Sequence, residues 1–312
     1  MRKIILNGAK DSIGLNELYQ RFIRKCKIKN LTEKSIESYE KRLSHFIEYY
    51  GGDTPIDRMS GDTIDEFVLW LKNTHTASDI TINGYLRDVR ALLRYGMECG
   101  YIKPFTIHLI KAEKKIKETY TDEELLSLLK KPDMNSCSFS RYKTWVFENY
   151  LLGTGNRLST ALSVKIKDVD FEGASIRLTT TKNRRQQIIP LSYSLSQVLR
   201  EYLSIRGGAP EDYLFCDEYG NQAKEQTYRQ LVRRYNLSRN VMKTSCHLFR
   251  HTFAKHWIIA GGDIFRLQKI LGHSDLTVTK EYVQMFGQDL QMDFERFNPL
   301  DRISKQKLKI TI

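Results

Sequence analysis

HLFRHTFAKHWIIAGGDIFRLQKILGHSDLTVTKEY, residues 247–282, holds four of the seven histidines in this 312-residue chain. His247 and Arg250 are three residues apart, so a helix places them on one face. Two glycines after that segment are expected to end the helix. The LGHS sequence then offers a turn, with Ser274 as a candidate cap for a helix that carries Tyr282.

The region before this stretch changes its hydrophobic period. SIRLTTT (175–181) and QQIIPLS (186–192) have the composition of strands, and the polar KNRR between them is typical of a hairpin turn. Helical patterning surrounds this pair. The sequence therefore predicts a mixed α/β domain with a small antiparallel sheet.

Residues 12–100 form a separate helical region. Apolar residues recur there at three- and four-residue intervals, which predicts a bundle of about four helices. A polar stretch follows at 111–118, and Thr121 with Glu124 then makes a capping box that starts a new helix. We therefore expect a mainly α protein with two domains, 1–115 and 116–312.

The charge balance points to an anionic partner. Lys and Arg number 50 against 37 Asp and Glu, and the pI is about 9.4. Residues 1–118 carry 21 basic and 16 acidic residues, which leaves 29 and 21 for residues 119–312, so both parts are net positive. Two basic domains joined by one linker predict a clamp around a DNA duplex. An excess of basic residues is also compatible with binding to a membrane surface, or with a face that is simply exposed to solvent.

Other classes of protein fit the sequence less well. It has no apolar run of 18 residues, and its first residues have too short an apolar stretch for a signal peptide, so we expect a cytosolic protein without membrane contact. Five scattered cysteines form no CxxC pair, which argues against a disulfide framework and a thiolate zinc site.

A histidine zinc site is the main alternative for residues 247–282. His247 and His251 stand four residues apart, as zinc ligands on a helix do. The HExxH pattern, however, requires a glutamate where this chain has Leu248. No metal is therefore expected, and His251 and His256 are interpreted as packing or surface residues.

The ordered set of motifs resembles the tyrosine recombinases of the phage integrase family. HLFRH, LGHS and Tyr282, nine residues after His273, are similar to the family's carboxyl-terminal motifs, and TGNRLSTALSVKIKDVD is similar to its TGxR segment. The resemblance covers roughly residues 12–295. It implies a SAM-like helical core-binding domain before the catalytic domain, and six catalytic residues: Arg157, Lys182, His247, Arg250, His273 and Tyr282.

This resemblance implies a chemistry that suits those residue types. Tyr282 attacks a phosphodiester and forms a 3′-phosphotyrosine with a free 5′-hydroxyl, and that hydroxyl is then joined to the partner strand. Arg157 and Arg250 stabilise the added charge on the non-bridging oxygens. A phenol is protonated at neutral pH, and His247 is the candidate base.

The resemblance assigns the remaining roles too. Lys182 donates a proton to the departing 5′ oxygen, and His273 hydrogen-bonds the phosphate. The linkage conserves bond energy, so neither a cofactor nor a metal is implied. Thr160 departs from the family pattern, which commonly has an acidic residue there, and this puts the orientation of Arg157 in question.

The implied partner is double-stranded DNA with paired half-sites, bound by a tetramer. Only about eleven residues precede the first predicted helix, too few for an extra arm-binding domain. We therefore expect a Xer-like or mobile-element enzyme for integration, excision or resolution. The terminal residues 305–312 are expected to dock on a neighbouring protomer, with a frayed tail as the alternative.

Two other functions are compatible with parts of the pattern. Type IB topoisomerases have a similar catalytic set, but the separate basic helical region and LGHS favour a recombinase. A regulator that binds DNA without cleaving it is disfavoured by the intact set of six residues.

Overall fold

The structure is a computed structural model, and it describes residues 12–75, 77–113, 118–179, 186–273 and 275–286. The chain divides into two compact units, Met1–Lys115 and Ile116–Ile312. Each unit has its own hydrophobic core. None of the helices in the described ranges combines the length and apolar content needed to cross a membrane.

The described part of the first unit has four helices: α1 (Leu15–Ile28), α2 (Glu33–Tyr50), α3 (Gly61–His75) and α4 (Asp79–Glu98). Thr32 and Ser78 cap α2 and α4, since each side chain accepts a hydrogen bond from a backbone N–H in the first turn. The apolar stripes of these helices face one another and form a shared core. This confirms the predicted helical bundle.

The second unit is mixed α/β. Its helices are α5 (Asp122–Leu129), α6 (Phe139–Thr154), α7 (Leu158–Ala161), α8 (Tyr193–Arg206), α9 (Glu225–Ser238), α10 (Cys246–Ile259), α11 (Ile264–Leu271) and α12 (Leu276–Phe286). A 3₁₀ helix, Ile166–Asp168, precedes the sheet. The capping box predicted at Thr121 and Glu124 starts α5.

The sheet has three short antiparallel strands in sequential order: β1 (Val169–Asp170), β2 (Ser175–Leu178) and β3 (Gln187–Pro190). Ile176 lies opposite Ile189, and both are buried against the helical core. The two predicted strands are confirmed. Strand β1 was not predicted, because its two residues are too few to show the alternation of apolar and polar side chains that marks a strand. The predicted KNRR turn lies outside the described residues.

Helix α6 runs through the centre of the second unit. It packs against α5, α8, α9 and α10, so its buried residues are distributed around the whole helix. One of them is Glu148, which is 0 % exposed. Neither of its carboxylate oxygens has a hydrogen-bond partner among the described residues. Burial raises the pKa of Glu148 well above its ordinary value, against an opposing effect of the Arg239 charge.

Glu148→Gln is expected to stabilise the second unit increasingly as the pH rises. The folded protein keeps the Glu148 proton to a higher pH than the unfolded chain does, so wild-type stability falls from the ordinary carboxyl pKa upward. Glutamine has no such proton. The melting-temperature advantage of Glu148→Gln should therefore grow from pH 5 to pH 8, measured by calorimetry. Exposed Glu172→Gln is the control, and an equal advantage at both pH values would contradict the buried neutral carboxyl.

Candidate active site

Arg250, on α10, is buried with 2 % of its surface exposed. Its guanidinium donates hydrogen bonds to the carbonyl oxygens of Gly155 (2.9 Å) and Leu271 (2.8 Å). The nitrogen that donates to Leu271, Nη2, also lies 2.6 Å from Nε2 of His273. Because α6 ends at Gly155 and α11 ends at Leu271, one side chain connects the ends of two helices.

Both of those helices end in a left-handed glycine. Gly155 and Gly272 each have a φ of 62°. A Cβ at position 155 would come within 2.8 Å of side-chain atoms of Leu271 and Phe253. Glycine is thus required at 155 both by the backbone conformation and by the close packing of the two helix ends.

The hydrogen bonds of His273 define its tautomer. Arginine has no acceptor, so Nε2 of His273 accepts from Arg250. The other nitrogen, Nδ1, lies 2.8 Å from the hydroxyl of Thr279, which is fully buried. The ring is therefore neutral with its proton on Nδ1, and it donates to Thr279 while orienting Arg250.

Arg157 lies just before α7, in the TGNR segment. The preceding residue, Asn156, is held by a hydrogen bond from its amide to the Tyr150 hydroxyl at 3.0 Å. Arg157 and Arg250 line one cavity of about 800 Å³, together with His273. No acidic residue is found among the described residues that line it.

Burial makes this cavity strongly favourable to an anion. It lowers the pKa of Arg157, and with the repulsion of Arg157 it lowers the pKa of Arg250 to about 10. Both groups remain charged at neutral pH. A bound anion would relieve their desolvation and their mutual repulsion together, and a phosphate also suits the bidentate geometry of a guanidinium. Thr160 lines the same cavity, so no carboxylate neutralises these charges from that position.

Tyr282, on α12, is 1 % exposed and packs with a small core that includes Leu267 and Leu271. Its hydroxyl lies 2.6 Å from Nδ1 of His251. Burial raises the pKa of Tyr282, while the nearby charges of Arg250 and Arg157 oppose that rise. The free protein therefore holds a phenol, and the two arginines are placed to stabilise a phenolate.

The predicted residues are only partly brought together. Arg157, Arg250, His273 and Tyr282 share one region, whereas His247 is exposed at the start of α10. The ring of His247 contacts that of His251 edge to face, with 4.5 Å between centroids. Lys182 and Ser274 lie outside the described residues.

Sequence reasoning missed two polar residues of this site. His251 was interpreted as a packing or surface residue, yet its ring contacts the Tyr282 hydroxyl. Thr279, which pairs with His273, was not singled out at all. The signal available for His251 was its spacing from His247, which was considered only for zinc.

Among the described residues of the first unit, one set of side chains has metal-ligand chemistry. The ligand atoms of His45, Glu48 and His75 lie within 4.8 Å of one another. A tetrahedral zinc ion holds its nitrogen and oxygen ligands about 3.3–3.4 Å apart. Nδ1 of His45 and Oε2 of Glu48 are 4.0 Å apart, so this pair would have to close before it bound zinc.

Comparison with known proteins identifies the family. The sequence profile of the phage integrase family matches residues 118–288, more than half of the chain. The chain belongs to the phage integrase family. A second profile, the N-terminal SAM-like domain of phage integrases, matches residues 18–100.

Relatives of this phage integrase family member span nearly its whole length. It is 26 % identical over 294 residues to the tyrosine recombinase XerD of Staphylococcus haemolyticus. The matched region covers 91 % of this chain and 98 % of the relative. It is 24 % identical to the tyrosine recombinase XerC of Roseiflexus sp., over 87 % of this chain and 90 % of the relative.

A solved structure shares the fold. The Tn1549 transposon integrase in complex with transposon right end DNA superposes with a TM-score of 0.74 at 22 % identity, covering 95 % of this chain and 99 % of that one. The family and the mainly helical fold expected from the motifs are confirmed. This chain is accordingly an enzyme of the tyrosine recombinase type, which cleaves and rejoins DNA strands.

Gly155→Ala is expected to destabilise the second unit by about 1–3 kcal/mol, because alanine is strained at this φ and its methyl group meets Leu271 and Phe253. Gly84→Ala is the matched control: this glycine is helical and a Cβ there has open space, so stability should rise by roughly 0.5–1 kcal/mol. Calorimetry of the full chain measures both. Equal effects at the two positions would contradict the close junction of α6 and α11.

Proposed function

We propose that this phage integrase family member carries out site-specific recombination of double-stranded DNA, with Tyr282 as the nucleophile. One observation carries the assignment. A buried phenol lies within the charge field of two guanidiniums, buried Arg250 and half-buried Arg157, and both line a cavity without acidic neighbours among the described lining residues.

The proposed cleavage step uses the charges of that cavity. Arg157 and Arg250 bind the non-bridging oxygens of the scissile phosphate and stabilise the charge that develops on them. The phenolate oxygen of Tyr282 forms a bond to phosphorus as the bond to the 5′ oxygen breaks. Lys182 supplies a proton to that oxygen, a role that rests on the sequence resemblance.

His273 has a role that depends on its protonation state. In the free protein its Nε2 accepts from Arg250, which holds the guanidinium in position. Donation from Nε2 to a phosphate oxygen, the role expected from the sequence, requires a proton on Nε2. The neutral tautomer in which Nδ1 accepts from the Thr279 hydroxyl has one, and so does the imidazolium form. A bound phosphate favours that form because it places negative charge beside the ring.

Both units are proposed to contact the duplex. The family match of the first unit to the SAM-like domain and the positive balance of both units support a clamp. The relatives are described as XerD and XerC, and one structural neighbour as a transposon integrase bound to transposon end DNA. These names support a Xer-like or mobile-element recombinase. The sequence resemblance implies the rest of the proposal, a cytosolic enzyme that acts on paired half-sites as a tetramer.

Tyr282→Phe should abolish formation of the covalent complex. The probe is a nicked duplex that contains a site selected from a random library by binding to the full chain. In EDTA, wild type should give an adduct that survives denaturation, and Tyr282→Phe should give none while retaining affinity for the duplex.

Tyr193→Phe is the matched control. Tyr193 is exposed and also lies in the second unit, so its removal should leave the adduct unchanged. An adduct from Tyr282→Phe would exclude Tyr282 as the nucleophile. Relaxation of supercoiled plasmids regardless of sequence would instead favour a topoisomerase.

A further inference from the structure

The groups around the Tyr282 hydroxyl favour its role as a donor toward His251. Arg250 interacts with the Tyr282 side chain by its charge and as a hydrogen-bond donor. A phenol has one hydrogen, and when its oxygen accepts from a guanidinium that hydrogen is directed elsewhere. Nδ1 of His251, at 2.6 Å, is in position to accept it. The imidazole of His251 is then neutral, with its own proton on Nε2.

We infer that His251 is the general base that accepts the phenol proton of Tyr282 during DNA cleavage. The inference rests on the proposed function. It replaces His247 in that role, since His251 contacts the Tyr282 hydroxyl and the ring of His247 contacts that of His251.

Among the described residues, the other titratable groups that act on the phenol are not suited to accept its proton. Arg157 and Arg250 are cations, and both nitrogens of His273 are engaged, one by Arg250 and one by Thr279. Glu281 neighbours Tyr282 on α12 and acts on the phenol through its charge, which raises the pKa of Tyr282. His251 approaches from α10 and contacts the reacting oxygen directly.

Each proton that is transferred in the cleavage step has a donor and an acceptor. The O–H bond of Tyr282 breaks, and its proton moves to Nδ1 of His251, which becomes an imidazolium. The phenolate oxygen bonds to phosphorus, and the departing 5′ oxygen takes a proton from Lys182. In rejoining, the 5′-hydroxyl gives its proton back to Lys182, and the released phenolate takes the proton from His251.

The burial of the phenol explains why a base is needed here. Exclusion of water raises the pKa of Tyr282, and water, which would otherwise accept the proton, has little access to a side chain that is 1 % exposed. Arg250 and Arg157 lower the cost of the phenolate but cannot accept a proton. A neutral imidazole in contact with the hydroxyl supplies that function near neutral pH.

The test compares His251→Ala and His251→Asn, in the full chain, on the selected nicked duplex. The asparagine amide reaches the position of Nδ1 and keeps a hydrogen bond, but it is not a base. Both variants should form the covalent complex roughly 100-fold or more slowly than wild type. His256→Ala, on the same helix and paired with Asp122 at 3.5 Å, should stay within about twofold of wild type.

A more acidic nucleophile makes this test specific. With 2,3,5-trifluorotyrosine introduced at position 282, the phenol ionises readily and needs a base less. The rate deficit of His251→Ala should then shrink by about tenfold or more. Wild-type rates restored by asparagine would overturn the inference and leave His251 a positioning residue. A deficit unchanged by the fluorinated phenol, or no deficit in His251→Ala, would also overturn it.

The contact itself is tested without DNA. A 3-fluorotyrosine at position 282 should titrate, by fluorine NMR, at a different pH in His251→Ala than in wild type, and at the wild-type pH in His256→Ala. An identical titration in all three proteins would overturn the inference. Absence of any adduct from wild type would instead contradict the proposed function, so the two failures are distinguishable.

Discussion

The buried guanidinium of Arg250 is the interaction on which the site depends. Burial of a cation without partners is costly, and this one is compensated by the carbonyl oxygens of Gly155 and Leu271 and by Nε2 of His273. Those partners come from two different helix ends, so the ends of α6 and α11 are fixed relative to α10. The same bonds hold the guanidinium beside the cavity, in the charge field that reaches Tyr282.

Charge that is unfavourable in the free protein is favourable for the proposed reaction. Burial lowers the pKa of both Arg157 and Arg250, and the charge of Arg157 lowers the pKa of Arg250 further. A phosphodiester removes part of that cost when it binds, and the additional negative charge of the transition state removes more. Thr160, where an acidic residue is common in the family, fits this account because a carboxylate at that position would reduce the positive field.

Sequence patterns predicted much of the fold because helices and caps are local. Apolar spacing located α1–α4, and Thr121 with Glu124 marked the start of α5. The partners of Tyr282 could not be predicted in the same way. His251 and Tyr282 are 31 residues apart in sequence, and they meet because α10 packs against α12. The spacing of residues along one helix cannot predict a contact between two helices. The burial of Glu148 could not be predicted from the sequence either, since it arises from the helices packed around α6.

The central claim is that the oxygen of Tyr282 becomes bonded to DNA. Trypsin and nuclease digestion of the trapped wild-type adduct, followed by mass spectrometry, tests it most directly, because cleavage after Lys280 and Arg296 releases a peptide with Tyr282 as its single tyrosine. We expect a nucleotide attached through its 3′ phosphate to Tyr282 in the peptide 281–296. An unmodified 281–296 peptide together with a nucleotide on another residue, or attachment through a 5′ phosphate, would contradict it.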